Sequence, residues 1–197
     1  MQELEPSIAF ILLAAGRSER FGGDKLMSPY GGKPLWRWAA DAAQTAGFRD
    51  KYLVIGAHSS VDVPDGWMEV VNTQADRGMG TSIGAGVSAA IDHRRLVIGL
   101  ADMPMMSAAH LRLIALERGP TFTRHKDGKA GCPAGFDRES FATLRHLKGD
   151  QGASGIAGPR GPVIDPGHPG ILFDVDTPQD LDGRTDANGD AELMIDT

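Results

Sequence analysis

This chain of 197 residues is poor in several things, and each shortage excludes something. It has one cysteine, Cys132, so no disulfide can form within it and nothing marks an oxidising compartment. No apolar run approaches the roughly 18 residues that span a bilayer. The stretch from Ile8 to Ala15 is too short, and it follows Glu3 and Glu5 rather than the basic start of a secretory signal. The cytoplasm is the expected compartment. Positive charge is scarce as well: 20 Lys and Arg face 26 Asp and Glu, a formal net charge of −6. That balance argues against a broad basic face for nucleic acid or an anionic membrane. The histidines lack the close paired spacing of a zinc site. Asp186-Ala-Asn-Gly-Asp190 opens like a calcium loop, but Ala191 and Thr197 fall where that loop needs glycine and glutamate.

What is present suits one folded domain. Hydrophobic residues make up 41%, enough for a core, and there is no repeat, low-complexity tract or interdomain linker. Residues 1–182 are expected to form the domain and 183–197 a flexible acidic tail. IAFILLA (8–14) is continuously apolar and predicts a strand buried on both faces. Residues 34–46 predict a helix opened by Pro34, with Leu35, Trp38, Ala39, Ala42, Ala43 and Ala46 on one stripe. Strands are predicted at 51–57, 68–72, 95–100, 121–125, 130–136 and 171–176. Helices are predicted at 80–94, 107–119 (capped by Ser107) and 137–147, with another starting at TPQDL (177–181). Trp36 and Trp38 read as packing residues. Alternation of strands and helices implies an α/β fold: three layers, doubly wound, with a mostly parallel sheet. Ligands in such folds bind beyond the carboxyl ends of the strands, which here selects the loops at 15–25, 72–82, 102–104 and 174–178.

The first loop, AAGRSERFGGDK (14–25), puts glycines and cations directly after a buried strand. Gly16, Gly22 and Gly23 let backbone amides approach an anion, and Arg20 and Lys25 can neutralise it. It has neither the P-loop nor the G-x-G-x-x-G spacing. A solvated turn uses the same residue types, but the ordered combination A-A-G-x-S-x-R-x-G-x-x-K favours a phosphate cradle. LADMP (100–104) ends a buried strand in an aspartate, a hard oxygen donor suited to Mg²⁺ or, more plainly, a turn residue. DVDTPQDL (174–181) supplies two more aspartates. Asp174 and Asp176 are read as facing opposite sides of a last strand, so Asp176 alone is assigned to the metal side. Thr177 and Pro178 read as an N-cap and first helical turn. NTQADRGMGTSIGAG (72–86) has glycines that could let a base or ribose approach, or could simply serve a closely packed helix.

These segments together resemble nucleotidyltransferases of molybdenum cofactor biosynthesis, over roughly residues 8–181. The resemblance implies a Rossmann-like nucleotidyltransferase fold in which the first loop wraps a nucleoside triphosphate. Leu13, Ala14, Ala15, Gly16, Ser18, Arg20, Lys25, Asn72, Gly78 and Ser82 would bind the nucleotide. Arg20, Lys25 and Asp102 would be catalytic, and Asp102 and Asp176 would hold Mg²⁺. Gly131, Cys132, Pro133, Gly149 and Asp150 would lie on the acceptor side. There the sequence departs from the family pattern, with Cys132 for a histidine or asparagine and Ser154 for an arginine. The pair Ala14-Ala15 resembles the cytidylyl branch and Gly22-Gly-Asp-Lys25 the guanylyl branch. The resulting expectation is transfer of CMP from CTP to molybdopterin with release of pyrophosphate, with GTP as the alternative donor. A sugar- or alditol-phosphate acceptor and a non-catalytic accessory role for a molybdenum hydroxylase are the alternatives.

Overall fold

The computed structural model describes residues 3–16, 21–153 and 161–182. Arg17, Ser18, Arg20, Ser154 and the expected tail at 183–197 lie outside them. Strand β1 (Ile8–Ala14) is buried at every position, because it has a parallel neighbour on each side and helices on both faces. Its neighbours are β4 (Asp50–Gly56) and β6 (Arg95–Leu100), and β5 (Met68–Asn72) adds in parallel to β4. β2 (Pro29–Tyr30) and β3 (Lys33–Pro34) form a separate small hairpin.

Side chains alternate along β1 and feed two cores. Phe10 and Leu12 pack with Trp36, Ala39 and Ala43 of α1 (Leu35–Ala46) and with Ile114 of α3 (Ala108–Leu116). Ile11 and Leu13 pack on the other face with Ile83 and Val87 of α2 (Met79–Ala89) and Phe141 and Leu144 of α4 (Phe141–Arg145). This is the three-layer α/β arrangement. The helix stops have local causes. α1 ends at Gly47, whose φ of 86° lets its N–H return to the carbonyl of Gln44. Ser107 caps α3 by accepting the His110 N–H.

Three elements depart from expectation. β8 (Ala130–Asp137) turns back antiparallel on β7 (Thr121–Arg124), as the short turn between them requires, but it also inserts antiparallel beside β6, and β9 (Val163–Ile164) closes the sheet, in the order β5-β4-β1-β6-β8-β7-β9. The helix predicted at 137–147 is a 3-10 turn at Arg138–Ser140 followed by the five residues of α4. The strand predicted at 171–176 is absent: Pro169–Leu172 form a 3-10 turn, and residues 173–176 cross the end of β6 as extended chain, with Val175 N–H donating to the Asp102 carbonyl at 3.0 Å. A proline and glycine at the start of this run favour the tight turn over a ladder. Then α5 (Gln179–Asp182) begins. No helix of the described residues is long and apolar enough to cross a membrane.

Candidate functional site

A cavity of about 720 Å³ opens at the carboxyl ends of the parallel strands. β1 supplies Leu13 and Ala14, and the chain leaving it supplies Ala15, Gly16, Lys25 and Leu26. The turn before α2 and its first residues supply Ala75, Asp76, Arg77, Gly78, Met79 and Ser82. The far wall is Leu100 and Asp102 after β6, Asp150, and Asp174 with Asp176. Described lining residues thus carry five carboxylates against Lys25 and Arg77. A polyphosphate could enter such a wall only together with added cations.

Lys25 is nearly buried, with its side chain 11% exposed. Its ammonium donates to Asp102 Oδ2 at 2.8 Å and to the Val175 carbonyl at 2.7 Å. One side chain therefore ties the first loop to both acidic segments. Lys33, by contrast, is spent on Asp41 and on the Trp38 ring, so it adds nothing to the cavity.

Asp174 and Asp176 line the same wall, which corrects their assignment to opposite faces. Residues two apart in extended chain share a side. The cavity wall partly desolvates Asp174, and the negative charges of Asp176 and Asp102 add to that, holding its carboxyl above the usual range. Asp180 is a positioning residue that the sequence reading passed over. Its carboxylate accepts from the backbone N–H of Asp176 at 3.0 Å and of Thr177 at 2.7 Å, and from the Thr177 hydroxyl. This is the reciprocal half of a capping box, and T-P-Q-D carried its spacing.

The other anticipated residues divide. Asn72 is buried behind the wall rather than in it, donating to the hydroxyls of Thr81 and Ser82 and accepting from Gln74 N–H. Gly78 lines the cavity, and with Gly80 of α2 it also admits another stretch of backbone. A Cβ at Gly78 would lie 2.3 Å from the Gly149 carbonyl carbon, and one at Gly80 would lie 2.8 Å from Lys148 N. The Gly80 N–H donates to the Gly149 carbonyl at 2.9 Å. This seam brings Asp150 to the cavity, while Gly149 sits in the turn behind it. Gly131, Cys132 and Pro133 stand apart on β8, outside the wall. Burial, with Asp102 adding like charge, pushes the Cys132 thiol up to about 12.

Among the described residues no cluster of three or more metal-ligating side chains is assembled. Mg²⁺ commonly takes one or two protein carboxylates and completes its shell with water and substrate phosphates, so the hard oxygens of Asp102 and Asp176 fit it.

The sheet and this acidic, lysine-braced cavity define an α/β nucleotidyltransferase fold. Residues 10–163 match the MobA-like NTP transferase domain, and the chain belongs to that family. It is 31% identical to the purine catabolism protein PucB of Bacillus subtilis, over 90% of this chain and 95% of that one. It is 30% identical to the nicotine blue oxidoreductase of Paenarthrobacter nicotinovorans, over 71% and 68%. It is 28% identical to a probable molybdenum cofactor guanylyltransferase of Thermococcus gammatolerans, over 61% and 59%. Among solved structures, Rv0371c of Mycobacterium tuberculosis in complex with manganese aligns with a TM-score of 0.69 at 27% identity, covering 89% of this chain and 98% of that one.

Proposed function

We propose that this protein transfers CMP from CTP to molybdopterin and releases pyrophosphate. The observation that carries this reading is the convergence on one cavity of the first loop with Lys25, the glycine turn before α2, and the carboxylates of Asp102, Asp174 and Asp176. A phosphate oxygen of the acceptor attacks the α-phosphorus of the triphosphate, and the bond to the bridging oxygen of pyrophosphate breaks. That nucleophile is already ionised, so the protein needs no general base and no covalent intermediate. Its task is positioning and charge stabilisation.

Lys25, which lines the cavity, would meet charge on the triphosphate and the leaving pyrophosphate, and Arg20 would share that role by resemblance. Leu13 to Gly16, Ser18, Gly78 and Ser82 hold the nucleotide against the strand ends. Asp102 and Asp176 would hold Mg²⁺, which when bound neutralises phosphate charge. A relative solved with manganese supports divalent metal use.

CTP is favoured by the Ala14-Ala15 pair, while the relative named a guanylyltransferase keeps GTP as the competing donor. A second reading, an accessory protein that binds the cofactor for a molybdenum hydroxylase, is favoured by PucB, whose name carries purine catabolism rather than transfer. The deciding experiment offers four α-labelled nucleoside triphosphates with Mg²⁺, with and without molybdopterin, and scores pyrophosphate release. Release from CTP that depends on molybdopterin is expected. Release from GTP alone would move the donor, and tight molybdopterin binding without any release would favour the accessory reading.

A further inference from the structure

Cys132 and Pro133 lie where β8 slips out of register with β7. Phe122 pairs with Ala134, but Thr123 pairs with Gly131, so the two residues between have no partner on β7. The pairing of β8 with β6 also stops at Ile98 and Ala134. A bulge of this kind leaves carbonyls outside the ladder and re-aims side chains.

Both freed carbonyls are gripped from the β7 arm. Thr123 donates its hydroxyl to the Pro133 carbonyl at 2.7 Å. His125 donates from Nε2 to the Cys132 carbonyl at 2.9 Å. Thr123 has a single hydroxyl proton, so its oxygen accepts from His110 Nε2, 2.8 Å away. Gly131 makes room for the grip, since a Cβ there would lie 2.5 Å from His125 Nε2.

Core stability does not account for this arrangement. His110 is 1% exposed, Thr123 is fully buried, and His110 Nδ1 has no partner. Apolar residues of the same shape avoid the cost of burying such groups. What the polar chain achieves is the fixed place of one backbone segment. The antiparallel register that ends at Ile98 and Ala134 carries β8 toward Pro133 and Cys132 as β6 runs on toward Leu100 and Asp102, so the segment lies at the carboxyl end of β6, on the flank away from β1. A transfer between two substrates needs the acceptor to reach the α-phosphorus from the flank that the nucleotide leaves open.

We propose that Thr123, backed by His110, and His125 are positioning residues that hold the Cys132–Pro133 bulge as the acceptor's platform beside Asp102. The role given to the platform rests on the transfer reading above. Thr123→Val, Thr123→Ser and His125→Ala in the full chain test it by two measurements. The first needs no substrate: alkylation of Cys132, the only thiol, by iodoacetamide at mildly alkaline pH. It should be about tenfold faster in Thr123→Val and His125→Ala than in the wild type, with Thr123→Ser unchanged. The second is steady-state kinetics with CTP and molybdopterin. Those two variants should raise the acceptor KM about tenfold and leave the nucleotide KM in place, and Thr123→Ser should restore the acceptor KM. His125 is half-buried, so His125→Ala decides the question if Thr123→Val fails to fold. Unchanged alkylation in His125→Ala, or nucleotide and acceptor KM rising together, overturns the proposal. A wild type without turnover overturns the transfer reading and the acceptor role with it, while alkylation still reports whether the grip exists.

Discussion

Lys25 meets two oxygens from segments far away in the chain, Asp102 Oδ2 and the Val175 carbonyl, and is largely withdrawn from water. Removing it leaves a wall of carboxylates facing the triphosphate. Lys25→Ala should therefore lower kcat/KM by the equivalent of roughly 2–4 kcal/mol, as loss of one preorganised donor does elsewhere. The circular dichroism spectrum should stay normal, and unchanged turnover would remove the phosphate-cradle role. The carboxylates have their own ordering. Asp102→Asn keeps the shape and removes a charge, so it should lower Mg²⁺-dependent turnover far more than it lowers stability. Asp176→Asn and Asp174→Asn should both be damaging, and to a similar degree, because the two side chains share a wall. A titration of activity against Mg²⁺ for the three variants checks this. A silent Asp174→Asn would leave Asp176 as the only one of the pair that acts with Asp102.

At the scale of elements, the seam between α2 and the 145–150 segment joins the two halves of the site. Two effects oppose each other when alanine replaces Gly80. Helix propensity gains about 1 kcal/mol. A Cβ at 2.8 Å from Lys148 N and 3.0 Å from the Leu147 carbonyl carbon must push backbone away, because no flexible side chain is there to yield. Overpacking typically costs about 1–3 kcal/mol, so the clash is expected to win. Gly80→Ala should lower the urea midpoint and reduce turnover by displacing Asp150. A higher midpoint would mean that this seam is loose.

At the scale of the whole molecule, the buried His110 and the half-buried Cys132 bound the pH range of full stability. Burial lowers the pKa of His110 from its ordinary 6.5. As pH falls the unfolded chain takes up that proton first, so the stabilisation is complete above pH 6.5 and lost below it. The Cys132 thiol behaves in the opposite sense. Its pKa rises from 9.0 to about 12, so the unfolded chain ionises first and stability is lost as pH climbs between those values. Urea unfolding followed across pH should show a plateau with both shoulders. His110→Gln should flatten the acid shoulder above the range where carboxylates titrate, and Cys132→Ser should remain folded and soften the alkaline one. Tyr52 keeps part of the alkaline loss, because burial and the nearby Asp50 and Asp92 raise its pKa too.

The sequence by itself determined the features that rest on local pattern. A continuous apolar run of only seven residues, Ile8–Ala14, suits a strand covered on both faces, and strand–helix alternation then favours a mostly parallel sheet with ligands at its carboxyl edge. The order of glycines and cations after that strand, and an aspartate closing the run RLVIGL, marked the edge where the cavity lies. Tertiary structure decided whatever depends on pairs distant in the chain. Only the fold shows β8 inserted between β6 and β7, because the short turn at 126–129 makes it antiparallel to β7 but says nothing of its other neighbour. Only the fold shows that the α2 glycines admit another backbone, and that Asn72 braces the wall from behind. The segment at 171–176 was apolar enough to read as a strand, but it turns as 3-10 at Pro169–Leu172 and meets the chain beyond β6 through the single Val175–Asp102 backbone bond that the fold provides. That contact brings Asp174 and Asp176 to one wall with Asp102. A shared wall is a property of three-dimensional contact, and spacing along a chain cannot hold it.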